Sequence, residues 1–179
     1  MKTEAALDHP RFRRALAFVL KWETVYNRKG NPVAENDPDD LGGLTKFGID
    51  QRSHPNIDIR SLTEQIAAGI YHRDYWLPVR AHELPFPVGE VAFDIAVNNG
   101  KSRAVKWLQE LLGVKTDGFI GPVTLAAAQK AEALALAVKL IARRASFYRS
   151  IAKGKKAKFL KGWLNRNDDL RRFIDQARS

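Results

Sequence analysis

Residues 22–50 read WETVYNRKGNPVAENDPDDLGGLTKFGID, and the fold turns on how this stretch is read. From Thr24 to Leu44 it is rich in Asn, Asp, Gly and Pro and has almost no apolar periodicity, which predicts a long loop or a short, irregular hairpin. Loops of that length inside a compact domain are usually functional or disordered, and this one runs into the ordered-looking LTKFGID. No segment of the chain shows sustained period-2 alternation, so any sheet is confined to residues 24–50. Behind the stretch, Phe12, Leu16, Val19, Leu20 and Glu23 share one face of an amphipathic helix, with Asp8 as its expected cap and Pro10 in its first turn.

Ahead of it the signals are helical. Ser61-Leu62-Thr63-Glu64 reads as a capping box opening a helix to about Tyr75, stopped by Pro78. Pro87 opens a second, from Val88 to Asn99-Gly100. Ser102 is expected to cap a third, Ala104 to Leu112, closed by Gly113. Asp117-Gly118 and Gly121-Pro122 are turns, and Pro122 starts an Ala-rich helix. Apolar residues then recur at helical spacing as Leu140, Ile141, Phe147, Tyr148 and Ile151, as Phe159, Leu160, Trp163 and Leu164, and as Leu170, Phe173 and Ile174. They predict two or three more amphipathic helices. The fold class is mostly α, with one small irregular β or loop region near residues 24–50, no internal repeat and no flexible linker.

The chain has 179 residues, 45% of them hydrophobic and 28% charged, the composition of an ordinary globular protein. It contains no cysteine, which excludes disulfides, thiolate nucleophiles, zinc ribbons and iron–sulfur clusters. The longest apolar run near the amino terminus, Ala15 to Leu20, follows Arg11, Arg13 and Arg14 with no small-residue cleavage site after it, so neither a signal peptide nor a membrane span is expected. The net charge of +10 is one-sided. Residues 1–138 hold 17 basic and 17 acidic side chains, whereas residues 139–179 hold 13 basic and 3 acidic. The terminal helices are therefore either a solvated cationic face or a surface for an anionic partner.

Glu23 is the most unusual residue by position. It continues the stripe of Val19 and Leu20, where a helix ordinarily places an apolar residue, and it lies at the helix C-terminus, where the dipole disfavours an anion. Desolvation and dipole both favour the neutral acid, as a general acid requires; the alternative is rotation to solvent or pairing with Lys21 or Arg28. Downstream, Asn36-Asp37-Pro38-Asp39-Asp40-Leu41-Gly42-Gly43 gathers three carboxylates before a Gly-Gly, and Thr45 adds a hydroxyl. One carboxyl at a helix end and another in a facing turn is the arrangement of glycosidases. Calcium is disfavoured, because the acids do not fall on alternate positions and no Glu closes the loop at its twelfth position.

The run from Trp22-Glu23 to DDLGGLTKFGID resembles the Glu…D-x-G-G-x-T-x-x-G-I signature of glycoside hydrolase family 108, phage and bacterial N-acetylmuramidases with a lysozyme-like fold. IDIRSLTEQIAAGIYHRDYW and VAFDIAVNNG continue the similarity. AVKWLQELLGVKTDGFIGPVTLAA resembles the peptidoglycan-binding segment that follows in that family, and KFLKGWLNR resembles its ending. The resemblance covers nearly the whole chain. It implies a catalytic lysozyme-like lobe over residues 1–85 and a helical peptidoglycan-binding lobe over 86–179. The family's acid maps onto Glu23, its Asp onto Asp40 and its Thr onto Thr45. Asp39 competes with Asp40, since phage-type lysozymes place an Asp six residues before the Thr. Many members carry Gly-Gly after the acid, where this chain has Thr24-Val25.

Asp94 and Asn98 lie four apart and share a helix face, where they could meet sugar hydroxyl and acetamide groups; Asn99 belongs to the helix end before Gly100. Tyr75, with Tyr71 and Trp76, offers stacking faces, the alternative being a core cluster. Trp107, Leu108, Leu111 and Leu112 have core spacing, and the four histidines show no ligand spacing. The expected activity is cleavage of the β-1,4 bond between N-acetylmuramic acid and N-acetylglucosamine, with no cofactor or metal. Peptidoglycan is the expected partner, the basic helices of 139–179 add an anionic envelope surface, nucleic acid is not expected, and a monomer is. A lytic transglycosylase and a non-catalytic wall-binding or secretion-helper protein are the competing readings. Without a signal peptide, the resemblance implies action on the wall after release from the cytoplasm, which the family's phage members achieve with a separate membrane-permeabilising protein.

Overall fold

The computed structural model describes residues 7–36 and 43–176. Those residues form seven α-helices and one three-stranded antiparallel sheet, with 63% of the chain helical, so the fold is mostly α with a small β region where the sequence predicts it. The chain divides into two compact units, Met1–Arg73 and Asp74–Ser179.

In the first unit, α1 (Pro10–Glu23) buries Phe12, Ala15, Leu16, Phe18, Val19 and Leu20. Its cap is His9, whose imidazole accepts from the Arg11 N–H, and Asp8 instead accepts from the Arg13 guanidinium at 2.9 Å. A charged Arg five residues away outcompetes the exposed helix amides for that carboxylate. After α1 the chain doubles back: Tyr26 bridges Pro32, the Val33 N–H bonds the Val25 carbonyl at 3.0 Å, and the Asn27 side chain accepts from the N–H groups of Lys29 and Asn31. Strands β1 (Glu35–Asn36), β2 (Leu44–Lys46) and β3 (Ile49–Asp50) follow in the order β1-β2-β3. Helix α2 (Glu64–Tyr71) starts later than the capping box predicts. Thr63 is the cap, accepting from the Ile66 N–H, and Ser61 bonds back to the Asp58 carbonyl. The helix leaves the unit through a single π-helical stretch, His72–Trp76.

The second unit is built around α3 (Val88–Asn99), in which every residue from Val88 to Ala96 is buried. Against it pack α4 (Lys101–Leu112) and α6 (Ala133–Ile151), while α7 (Leu160–Gln176) packs on α6 and α5 (Pro122–Lys130) on α4. Helix α4 begins directly after Gly100 with no side-chain cap, three residues before the predicted start, and ends at Gly113 in the left-handed conformation, as predicted. The basic tail becomes α6, a 3-10 turn over Gly154–Phe159, and α7. Two polar knots lie inside this unit. Gln109, fully buried, holds the Asp117–Phe119 turn through the Asp117 carboxylate, the Gly118 N–H and the Phe119 carbonyl. Asp94 ties three helices by accepting from Arg144 of α6 at 2.6 Å and Arg166 of α7 at 2.7 Å.

Candidate active site

Glu23 is the last residue of α1, where the helix closes with the Thr24 N–H on the Leu20 carbonyl. Thr24 is extended (φ −105°, ψ 129°), so the chain leaves the helix without the left-handed turn that glycines would provide. The substitution of Thr24-Val25 for Gly-Gly is accommodated by the backbone path itself.

What presses on Glu23 is the tip of the β2–β3 hairpin. Lys46 pairs with Ile49, which leaves Phe47 and Gly48 as a two-residue loop, with both residues at positive φ (55° and 72°). That is the backbone of a type I′ turn, matched to the twist of the strands it joins. Gly48 is required twice over. Besides its φ, a Cβ there would sit 2.7 Å from the Glu23 Cβ, 2.7 Å from the Tyr71 hydroxyl and 3.0 Å from Glu23 Oε2. The Phe47 ring is buried, and its carbonyl accepts from the Tyr71 hydroxyl at 2.7 Å.

A cavity of about 160 Å³ opens beside this contact, lined by Glu23, Val25, Val33, Glu35, Gly43, Thr45, Lys46 and Phe47. Two of the predicted catalytic residues, Glu23 and Thr45, thus share one cavity. Asp39 and Asp40 lie outside the described residues. The Thr45 hydroxyl donates to the Gly43 carbonyl at 3.2 Å, and its oxygen accepts from no side chain or main-chain N–H among the described residues. Asp50, opposite Thr45 on β3, accepts from the Ser53 N–H at 2.8 Å. Burial raises its pKa, but the Ser53 hydrogen bonds outweigh burial and the net direction is down. A larger cleft of about 650 Å³ runs between α1 and α2 and includes the Asp8–Arg13 ion pair and Glu64, away from the hairpin.

The expected substrate contacts all belong to the second unit. Asp94 is 1% exposed and gives both oxygens to Arg144 and Arg166. Asn98 accepts from the Tyr148 hydroxyl at 2.8 Å, and Asn99 does so at 3.2 Å. The Lys101 ammonium lies over the Tyr75 ring. Trp76 is buried edge-on against Phe93, and Tyr71 is spent on the hairpin of the first unit. Glu35, Val25 and Val33 are cavity residues that the sequence reading did not single out. Their only sequence signal is the spacing of two between Val33 and Glu35, too short a run to stand out. Among the described residues, no three His, Asp or Glu side chains are placed to hold a metal ion.

The profile of the family described as Glycosyl hydrolase 108 matches residues 16–100, and that of the Predicted Peptidoglycan domain matches residues 103–168. Among solved structures, the chain is similar to that titled "Structure of Brucella abortus SagA", with a TM-score of 0.76 and 30% identity over 94% of this chain and 96% of that one. No curated protein matches.

Proposed function

We propose that this chain, which belongs to the glycosyl hydrolase 108 family, is an N-acetylmuramidase that cleaves the β-1,4 bond between N-acetylmuramic acid and N-acetylglucosamine in peptidoglycan. The two family matches support a peptidoglycan hydrolase or binding role. The meeting of Glu23, at the end of α1, with Thr45 in the cavity beside the hairpin tip supports cleavage of the glycosidic bond at this site. In this reading Glu23 protonates the leaving oxygen. Asp40 supports the positive charge that develops on the sugar or directs water, and Thr45 orders that water or the second carboxylate.

The cationic face of the second unit fits attachment to an anionic envelope surface. Lys153, Lys155, Lys156, Lys158 and Lys161 are all exposed, and no Asp or Glu occurs between Glu132 and Asp168. Lysines within a Debye length of such a surface contribute about 1 kcal/mol each.

The test is mass spectrometry of soluble fragments released from purified peptidoglycan by the wild type and by Glu23→Gln, at equal concentration and with folding checked by circular dichroism. Fragments ending in reducing muramic acid from the wild type alone are expected. Anhydro ends would make the protein a lytic transglycosylase, and wall binding without release would make it a non-catalytic wall protein.

A further inference from the structure

Register places a second carboxyl in the cavity. Glu35 of β1 stands directly opposite Thr45 of β2, and directly opposed residues of an antiparallel pair present their side chains on the same face. Val33, two residues earlier, lines the same cavity beside its partner Val25. The wall facing Glu23 therefore runs from an apolar pair, Val25 and Val33, to a polar pair, Glu35 and Thr45. Asp50, the other cross-strand neighbour of Thr45, is occupied by Ser53 and does not line the cavity.

We propose that Glu35 is the base that deprotonates the attacking water, an assignment that rests on the muramidase reading above. A water between Glu35 and Thr45 has two acceptors for its two hydrogens. The carboxylate only accepts, and the Thr45 hydroxyl already donates its hydrogen bond to the Gly43 carbonyl. With both hydrogens so held, a lone pair of the water is free for the sugar carbon. Glu23 passes its proton to the glycosidic oxygen as the bond from that oxygen to the anomeric carbon breaks. The water oxygen bonds to that carbon, and the water's proton passes to Glu35. Solvent then takes the proton from Glu35 and returns one to Glu23, so the cycle closes with one water consumed. Because water attacks in a single displacement, the product starts with inverted anomeric configuration.

The assignment is tested with Glu35→Ala and Glu35→Gln, using fragment release from purified peptidoglycan, its KM, and rescue by sodium azide. Removal of a general base is expected to lower kcat by about 100-fold or more while KM stays within about threefold. Azide should restore activity to Glu35→Ala, yielding a glycosyl azide of inverted configuration, and should leave the wild type unaccelerated. Should Glu35→Ala not fold, loss of kcat at constant KM in the isosteric Glu35→Gln carries the same meaning. A Glu35 variant that retains more than about a third of the wild-type kcat overturns the assignment, since a base contributes far more than that. Lost activity without azide rescue in a folded Glu35→Ala overturns it equally. In both cases the muramidase reading stands if the wild type is active, whereas a wild type that releases no fragments removes that reading and this assignment together.

Discussion

The Tyr71 hydroxyl donates a 2.7 Å hydrogen bond to the main-chain oxygen of Phe47, and so ties the end of α2 to the hairpin tip on which Glu23 rests. Phe47 holds φ at 55°, a conformation that costs an ordinary side chain roughly 1–2 kcal/mol, and burial of its ring together with this bond keeps it there. Tyr71→Phe leaves a buried carbonyl unsatisfied. It is expected to cost about 1–3 kcal/mol in urea denaturation and to lower kcat more than it raises KM, because the tip that positions the acid loosens.

Gly48→Ala should be more severe. The added methyl meets the Glu23 Cβ and the Tyr71 hydroxyl at 2.7 Å, so the acid, the tip or both must move. Gly30→Ala is the control, with a similar φ of 77° and open space around it. Both variants incur backbone strain of about 1–2 kcal/mol, but only Gly48→Ala is expected to lose more than about tenfold in kcat, since displacement of a catalytic group by about 1 Å can cost that much and more. Equal activity in the two variants would show that the contact does not position the acid.

Asp94 makes the stability of the second unit depend on pH on the acid side. Burial pushes its pKa up, but Arg166 and Arg144 outweigh burial and hold the carboxyl below its ordinary value. A depressed folded pKa makes a contribution that is complete above the unfolded value of about 3.9 and is lost as pH falls through the lower folded value. Asp94→Asn removes that pH-dependent loss. At pH 7 it is expected to cost about 3–5 kcal/mol, because two buried guanidinium groups lose their counter-charge. Denaturant titrations of both proteins at pH 7 and below pH 4 measure the difference, which should narrow on the acid side.

The lysine cluster predicts a salt effect separable from stability. Replacing Lys153, Lys155, Lys156, Lys158 and Lys161 together by Gln should leave thermal stability nearly unchanged, because none of the five has an acidic partner among the described residues and exposed charges contribute little. Activity on whole envelopes should fall with added salt in the wild type, since screening shortens to about 8 Å at physiological ionic strength. In the variant it should start lower and stay flat. Identical salt curves would remove the cationic face from the binding reading.

Legibility in the sequence followed the range of the interactions. Helices announced by apolar stripes, by Pro87, by Pro122 and by Gly113 lie where the periodicity places them. Caps were less legible. Asp8, Ser61 and Ser102 are each suitable capping residues, yet Arg13 claims the Asp8 carboxylate, Ser61 bonds the Asp58 carbonyl, and α4 starts at Lys101 and so takes Ser102 into its first turn; His9, Thr63 and Gly100 hold the cap positions. Glu23 was legible from the apolar stripe it ends and Thr45 from its place after the Asp-rich loop and its Gly-Gly, the family resemblance joined the two, and the cavity holds both. Asp94 and Asn98 were legible only as sharing a face. That Asp94 is buried against Arg144 and Arg166, while the exposed Asn98 accepts from the Tyr148 hydroxyl, depends on helices about 50 to 70 residues further along the chain.

The amino-acid sequence alone therefore determined the helix content, the place of Glu23 at the end of an apolar stripe, the family resemblance and the cationic tail. All of these are carried by residues within a few turns of one another or by simple counts. Only the tertiary structure decided that Glu35 faces Thr45, that Gly48 rests on Glu23 and that Tyr71 holds the hairpin tip. The reason lies in strand register. With a side-chain period of two, a slip of one residue sends every side chain to the opposite face, and the two-residue turn at Phe47-Gly48 removes that freedom only once the chain has folded back on itself.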